Sequence, residues 1–242
     1  MAVTECICII PARGGSKGIP GKNTKLLLGK PLIAWSIGIA LNSHLPGRVV
    51  VTTDSPDIQS IALAMGAEAP FLRPTELATD NAPTELALLH ALDWYESNEG
   101  YLPDVVVLLQ PTSPCRHPER LVQALSRFEK TGADSLVSVS PLDPPFLWRS
   151  PDDAQAEFDY LDRPMRQNLP EALKLFQENG SIFIFKTELL RKTGCRLGGK
   201  IVLFELDKLE SIDIDEPEDF AMAEMILGSK PDWQKNANLG GS

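Results

Sequence analysis

The chain has 242 residues, 43% hydrophobic and 23% charged, with a formal net charge of −10. That is enough for one large or two small domains with a substantial core, in a composition ordinary for a soluble globular protein. The acidic balance argues against non-specific binding to nucleic acid or anionic membranes, and no apolar run approaches the roughly 20 residues of a membrane helix.

The start, MAVTECICII, lacks the basic region of a signal peptide, which reads as a cytoplasmic protein. Residues 5–11 form a short apolar run that predicts a buried strand, with Cys6 and Cys8 on one face. The four cysteines (Cys6, Cys8, Cys115 and Cys195) show no metal spacing and read as reduced thiols.

The next stretch, IPARGGSKGIPGKN (10–23), follows that strand and precedes a helix, where α/β folds bind phosphates. It is neither the dinucleotide fingerprint nor a Walker A loop, because Ser16 stands five before Gly21 and Lys22 is followed by Asn23. What remains is bare backbone N–H groups at Gly14, Gly15 and Gly18, with Arg13, Lys17 and Lys22 along the loop. Amides to coordinate oxygens and cations to neutralise charge suit a polyphosphate.

Beyond the loop, helix-like segments (PLIAWSIGIALNS, SPDIQSIALAMG, PTELALLHALDWYES, HPERLVQALSRFEKTG) alternate with strand-like runs at 48–53, 104–110 and 135–140. Pro or Ser/Thr/Asp caps open several helices and glycines close two, so the alternation predicts an α/β fold with right-handed crossovers. The rhythm breaks at 141–179, read as an excursion from the sheet used for self-association. Strand-like runs resume at 181–186 and 201–206. The division expected is a nucleotide-binding domain at 1–140 and 180–228, with a flexible tail at 229–242.

In SIDIDEPEDF (211–220), an extended backbone puts Asp213 and Asp215 on one face. Two carboxylates side by side repel unless a cation lies between them. Mg²⁺ is the natural partner, shared with substrate phosphates. The three histidines, His44, His90 and His117, fall on helices or helix entries and read as structural, so no general base is legible.

Taken together, the loop, LRPTELATDNAPT (72–84), LLQPTSPCR (108–116), RQNLP (166–170), ENGSIFIF (178–185) and SIDIDEPEDF resemble, in order, the motifs of the acylneuraminate cytidylyltransferase family. Those enzymes make CMP-activated nonulosonic acids such as sialic acid. The resemblance implies a Rossmann-like α/β fold of the nucleotide-diphospho-sugar transferase type, a mainly parallel sheet flanked by helices with a small dimerisation excursion. It implies that Arg13, Gly14, Gly15, Ser16, Lys17, Lys22 and Asn23 hold the CTP ribose and triphosphate, and that Arg73, Ala82 and Thr84 line the cytosine pocket. Gln110, Arg166, Gln167, Asn179 and Phe183 would face the sugar. Asp213 and Asp215 would hold Mg²⁺, with Mn²⁺ as the alternative, and Arg13 and Lys22 would join them in catalysis.

The implied reaction joins a 2-keto sugar acid of the sialic, legionaminic or pseudaminic type to CTP, with release of pyrophosphate. The implied partners are these two substrates and a second copy, as a homodimer or a tetramer, without nucleic acid or membrane. The chain departs from the family's pattern on the sugar side. Trp148 stands where sialic-acid enzymes carry a lysine, Phe183 where a tyrosine is expected, and Gln177 in place of a basic residue. Two rivals stay open: a metal-dependent glycosyltransferase, since D-I-D also resembles the D-x-D motif, and a catalytically silent nucleotide-binding module.

Overall fold

The computed structural model describes residues 5–44, 47–142, 146–163, 165–170 and 174–234, the side chains of Pro118 and Arg166 excepted. In chain order the elements are β1 (Cys6–Pro11), a hairpin of β2 (Leu26–Leu27) and β3 (Lys30–Pro31), α1 (Leu32–Asn42), β4 (Arg48–Thr52) and α2 (Pro56–Ala64). Next come α3 (Thr84–Glu99), β5 (Val105–Leu109), α4 (Pro118–Thr131) and β6 (Ser135–Leu142). A second small hairpin, β7 (Trp148–Arg149) and β8 (Gln155–Ala156), precedes β9 (Leu175–Lys186), α5 (Thr187–Thr193), β10 (Ile201–Glu205), α6 (Pro217–Gly228) and α7 (Pro231–Gln234).

The main sheet has the order β10-β6-β9-β5-β1-β4. β4 and β5 flank β1 in parallel, β10 runs parallel to β6, and β9 alone is antiparallel to both neighbours. The apolar runs of β1, β5 and β6, and of residues 182–185 in β9, are buried on both faces, as their lack of alternation requires, whereas edge strand β10 leaves Ile201 and Leu203 exposed. Cys6, Cys8 and Ile10 pack with Ile37 of α1, Ile58 of α2 and Leu121 of α4, while Ile7 and Ile9 pack with Leu88 and Leu92 of α3. Turn chemistry sets the helix ends: Pro56 and Pro217 open helices, Glu216 and Asp219 form a capping box, and Gly100 and Gly132 close α3 and α4 at positive φ.

A third cluster lies at one end of the sheet, where Ile19, Leu27, Trp35, Ile214 and Phe220 are buried together. It packs the glycine-rich loop and the D-I-D segment onto α1 and α6.

Two expected boundaries read differently in the structure. β6 reaches Leu142 and β9 begins at Leu175, pairing through Ser140↔Gln177 and Leu142↔Leu175. The root of the 141–179 excursion is therefore a two-stranded ribbon continuing the sheet. Its alternation was hidden because Leu175 and Phe176 stay exposed there. The tail does not fray from 229: Trp233 packs on the third cluster and Gln234 donates to the Leu227 carbonyl at 2.8 Å. Residues 235–242 lie outside the described residues.

Candidate active site

β1 is the strand from which the sheet extends both ways, to β4 and to β5, and the carboxyl ends flanking such a reversal leave a crevice. A cavity of about 320 Å³ opens there. Among the residues lining it are Arg13, Gly15, Ser16, Lys22, Asn23, Arg73, Ala82, Thr84, Gln110, Asp213 and Asp215. A second cavity of about 510 Å³ shares Gln110, Asp213 and Asp215 and adds Asn179, Gly180 and Phe183. Two chambers thus meet at one glutamine and two carboxylates.

The loop holds its shape through contacts that its composition does not reveal. The Gly14 amide donates to Asp54 Oδ1 at 2.9 Å, so that N–H is already engaged. Asn23 Nδ2 donates to the Arg13 carbonyl at 2.9 Å, closing the loop on itself. Gly21 takes φ +62, which a glycine adopts without strain. Lys22 is buried, and its Nζ donates to the Ile214 carbonyl and, at 3.2 Å, to Asp215 Oδ1. Arg13 and Lys17 both pair with Asp80, at 2.7 and 2.9 Å.

Ile214 is fully buried between the two aspartates, which face outward as the extended reading expects. Its amide donates to the Thr112 carbonyl at 2.8 Å, tying the segment to the chain after β5. Although Asp213 is exposed, the crevice around its carboxyl strips away part of its water and pushes it up; a hydrogen bond from Thr112 opposes this and the nearby Asp215 charge adds to it. A raised carboxylate beside another is a site that gains from a cation. Among the described residues no group of three or more His, Cys, Asp or Glu converges as a metal site. Two carboxylates alone still fit Mg²⁺, which completes its shell with water and substrate phosphates.

Arg73 is buried against the first cavity, and its Nε and Nη2 lack hydrogen-bond partners. Its nearest carboxylate is Asp54, 3.9 Å away. Burial pulls its pKa down, partly opposed by Asp54. A buried guanidinium with unspent donors is costly unless a ligand accepts from it.

Behind the site lies Arg116, buried with 1% exposure. Its Nε donates to Ser181 Oγ at 2.7 Å and its Nη2 to the Gln110 carbonyl, fixing the residue that divides the chambers.

On the sugar side the expected residues are less well gathered. Asn179 sits at a bulge opposite Ser138, where Gly180 takes φ +68. Its amide is spent internally, accepting from Ser138 Oγ at 2.6 Å and donating to Ser211 Oγ at 2.9 Å. Phe183 borders the second cavity but is fully buried in the core, with the Arg196 guanidinium 4.5 Å from its ring centre. Gln167 is exposed on the excursion, donates to Met165 Sδ at 3.4 Å, and among the described residues lines neither cavity; the Arg166 side chain lies outside the described residues. None of the three histidines lines either cavity.

Asp54, Asp80 and Arg116 escaped the sequence reading of the site. Asp80 and Arg116 stand inside quoted motifs, but nothing in their spacing gives them a role. A larger cavity of about 910 Å³ lies at the opposite end of the strands. Two of its three cations are already matched, Lys186 by Asp134 and Arg191 by Asp93 and Glu96.

Residues 7–236 match the family model described as cytidylyltransferase. The chain is 37% identical over 228 residues to the CMP-N,N'-diacetyllegionaminic acid synthase of Legionella pneumophila, covering 91% of this chain and 95% of that protein. It is 35% identical over 228 residues to the N-acylneuraminate cytidylyltransferase of Escherichia coli O18:K1:H7, covering 94% of this chain but only 53% of the longer relative. It is also 32% identical to the post-translational flagellin modification protein B of Campylobacter coli, over 97% of that protein. Among solved structures, a CMP:2-keto-3-deoxy-manno-octonic acid synthetase complexed with CTP superposes with a TM-score of 0.68 at 18% identity, covering 93% of this chain and 99% of that one, a likeness of fold.

Proposed function

The chain belongs to the cytidylyltransferase family, and from that membership we propose that it activates a nonulosonic acid with CTP, giving the CMP-sugar and pyrophosphate. The family match sets aside the glycosyltransferase alternative. The observation that carries the proposal is the pair of adjoining cavities sharing Gln110, Asp213 and Asp215. One chamber has the cations and base-facing donors a nucleoside triphosphate needs, and the other leaves room for an acceptor.

In this reading Arg73 gives its unspent donors to the cytosine, with Ala82 and Thr84 beside it. Arg13, Lys17 and Lys22 neutralise the triphosphate, and Gln110 orients the acceptor hydroxyl toward the α-phosphorus. Asp213 and Asp215 would hold Mg²⁺, which supplies charge neutralisation on the phosphoryl group. Catalysis is then alignment and charge stabilisation, the usual resources of such transfers.

The excursion supports a homodimer. It exposes Trp148, Tyr160, Leu161 and Met165, a run of large apolar side chains rare on a monomer's surface. A cytoplasmic location fits the buried thiols of Cys6, Cys8 and Cys115; among the described residues no helix is long and apolar enough to cross a membrane. The deciding experiment incubates the protein with CTP, Mg²⁺ and a panel of nonulosonic acids and follows pyrophosphate. Absence of release with every acid would refute the proposal.

A further inference from the structure

Asp80 stands in the turn between Leu77 and α3, across the first cavity from the glycine-rich loop. Its Oδ1 accepts from Arg13 Nη1 at 2.7 Å and its Oδ2 from Lys17 Nζ at 2.9 Å. One carboxylate fork is thus spread over two loop cations. Among the described residues neither cation has another carboxylate partner within ion-pair distance. The hydrogen bond from Lys17, with Arg13 beside it, holds the Asp80 carboxyl below the usual carboxylate range.

Carboxylates and phosphates present the same two-oxygen fork to such donors. Arg13 and Lys17 are therefore wanted by two anions, Asp80 and the polyphosphate. Lys22 is not drawn toward Asp80, because its contacts run to Ile214 and Asp215.

We infer that Asp80 is a specificity-determining residue that competes with the polyphosphate for Arg13 and Lys17 and so weakens the hold on the pyrophosphate product. This rests on the reading of the cavity as a CTP site. A loop with three cations and no internal anion would retain pyrophosphate and scavenge smaller anions. Asp80 lowers that affinity where the leaving group sits and leaves the nucleoside end alone.

The test titrates inorganic pyrophosphate, CTP and CMP into the full chain with Mg²⁺ by calorimetry, for wild type, Asp80→Asn and Asp80→Glu. Asp80→Asn should bind pyrophosphate and CTP roughly three- to tenfold more tightly, the scale of two solvent-exposed ion pairs. CMP affinity should stay unchanged, KM for CTP should fall and product inhibition by pyrophosphate should strengthen. Asp80→Glu should return most of the wild-type behaviour. A residue that merely braces the loop predicts the opposite sign, so equal or weaker pyrophosphate binding by Asp80→Asn overturns the inference alone. Wild-type protein that takes up neither CTP nor pyrophosphate overturns the CTP reading, and the inference with it.

Discussion

Gly18 lies so close to Asp215 that a Cβ built on it would stand 2.2 Å from the Asp215 carbonyl oxygen. The glycine that looked reserved for a phosphate is needed for the approach of one site segment to another. Gly18→Ala must push the loop off the D-I-D segment. A displacement of about 1 Å in a positioned site costs on the order of 10²-fold in rate. Steady-state kinetics of Gly18→Ala should show that loss in kcat/KM for CTP, and a wild-type value would refute it.

Lys22 bridges the same two segments from its side chain. Lys22→Met keeps much of the buried stem but removes the charged donor, which is worth roughly 1.5–3 kcal/mol when it meets an anion. CTP binding should weaken accordingly while CMP binding changes little. Equal weakening of both nucleotides would place Lys22 away from the β- and γ-phosphates.

The carboxylate pair gives a metal prediction. Asp215 is largely exposed, with 74% side-chain accessibility, and an asparagine oxygen can still accept from Lys22 Nζ, so Asp215→Asn should fold, with a modest loss of melting temperature from the unpaired Lys22 charge. Turnover should nevertheless drop roughly a hundredfold or more if the pair holds Mg²⁺, because losing a metal contact would remove several kcal/mol of charge stabilisation. Chelation by EDTA should abolish wild-type activity, with recovery on adding Mg²⁺. Full activity of Asp215→Asn at limiting Mg²⁺ would exclude the assignment.

Buried acids set an alkaline limit on the fold. Burial raises the thiol of Cys6 to about 11 and that of Cys115 to about 12, and raises the Tyr101 phenol to about 12. These groups favour their neutral forms in the native state, whereas an unfolded thiol ionises near about 8.5. Their contribution is therefore full below about pH 8.5 and drains away as the pH climbs toward 11 to 12. Melting temperature should fall across that window, and Cys115→Ala should soften the fall. A disulfide-exchange reagent at pH 8 should modify exposed Cys195 first and reach the other three thiols only on unfolding.

The departures on the sugar side give a prediction about the acid. Phe183, which borders the second cavity, lacks the hydroxyl of a tyrosine, whereas Trp148 lies on the excursion and lines neither cavity. Acids carrying deoxy or methyl groups, of the legionaminic type, should therefore be preferred over glycerol-tailed sialic acid. The gain is graded, about 1–3 kcal/mol for each methyl-sized contact. A kcat/KM for sialic acid above that for a legionaminic-type acid would reverse this preference.

All six main strands could be read from the sequence as apolar runs, the inner ones because burial on both faces leaves no alternation, and edge strand β10 even though Ile201 and Leu203 stay exposed. The aspartate pair was legible too, since period-two alternation around Ile214 decides which side chains face out. What stayed hidden depended on contacts between distant segments. Asp54 reaches Gly14 across 40 positions, and Arg116 reaches Ser181 across 65. No local pattern encodes such partners. Gly18 was visible as a residue but not for its reason, which lies nearly two hundred residues further along the chain. Gln167 lines neither cavity of its own chain, and a motif match carries no information about whether its segment folds back there.

The place of β9 has a consequence for synthesis. This strand pairs with β5 through Val105↔Lys186 and Leu109↔Ile182, and with β6 through Ser135↔Phe185. Until residues 182–186 leave the ribosome, β5 and β6 each present an unpaired apolar edge, and the β4-β1-β5 half of the sheet is separate from the half that β10 will close. At about 5–20 residues per second that exposure lasts several seconds, during which the edges are open to chains on neighbouring ribosomes. The nascent protein therefore has a vulnerable interval built into its strand order, and it ends when one late antiparallel strand slides between two early ones.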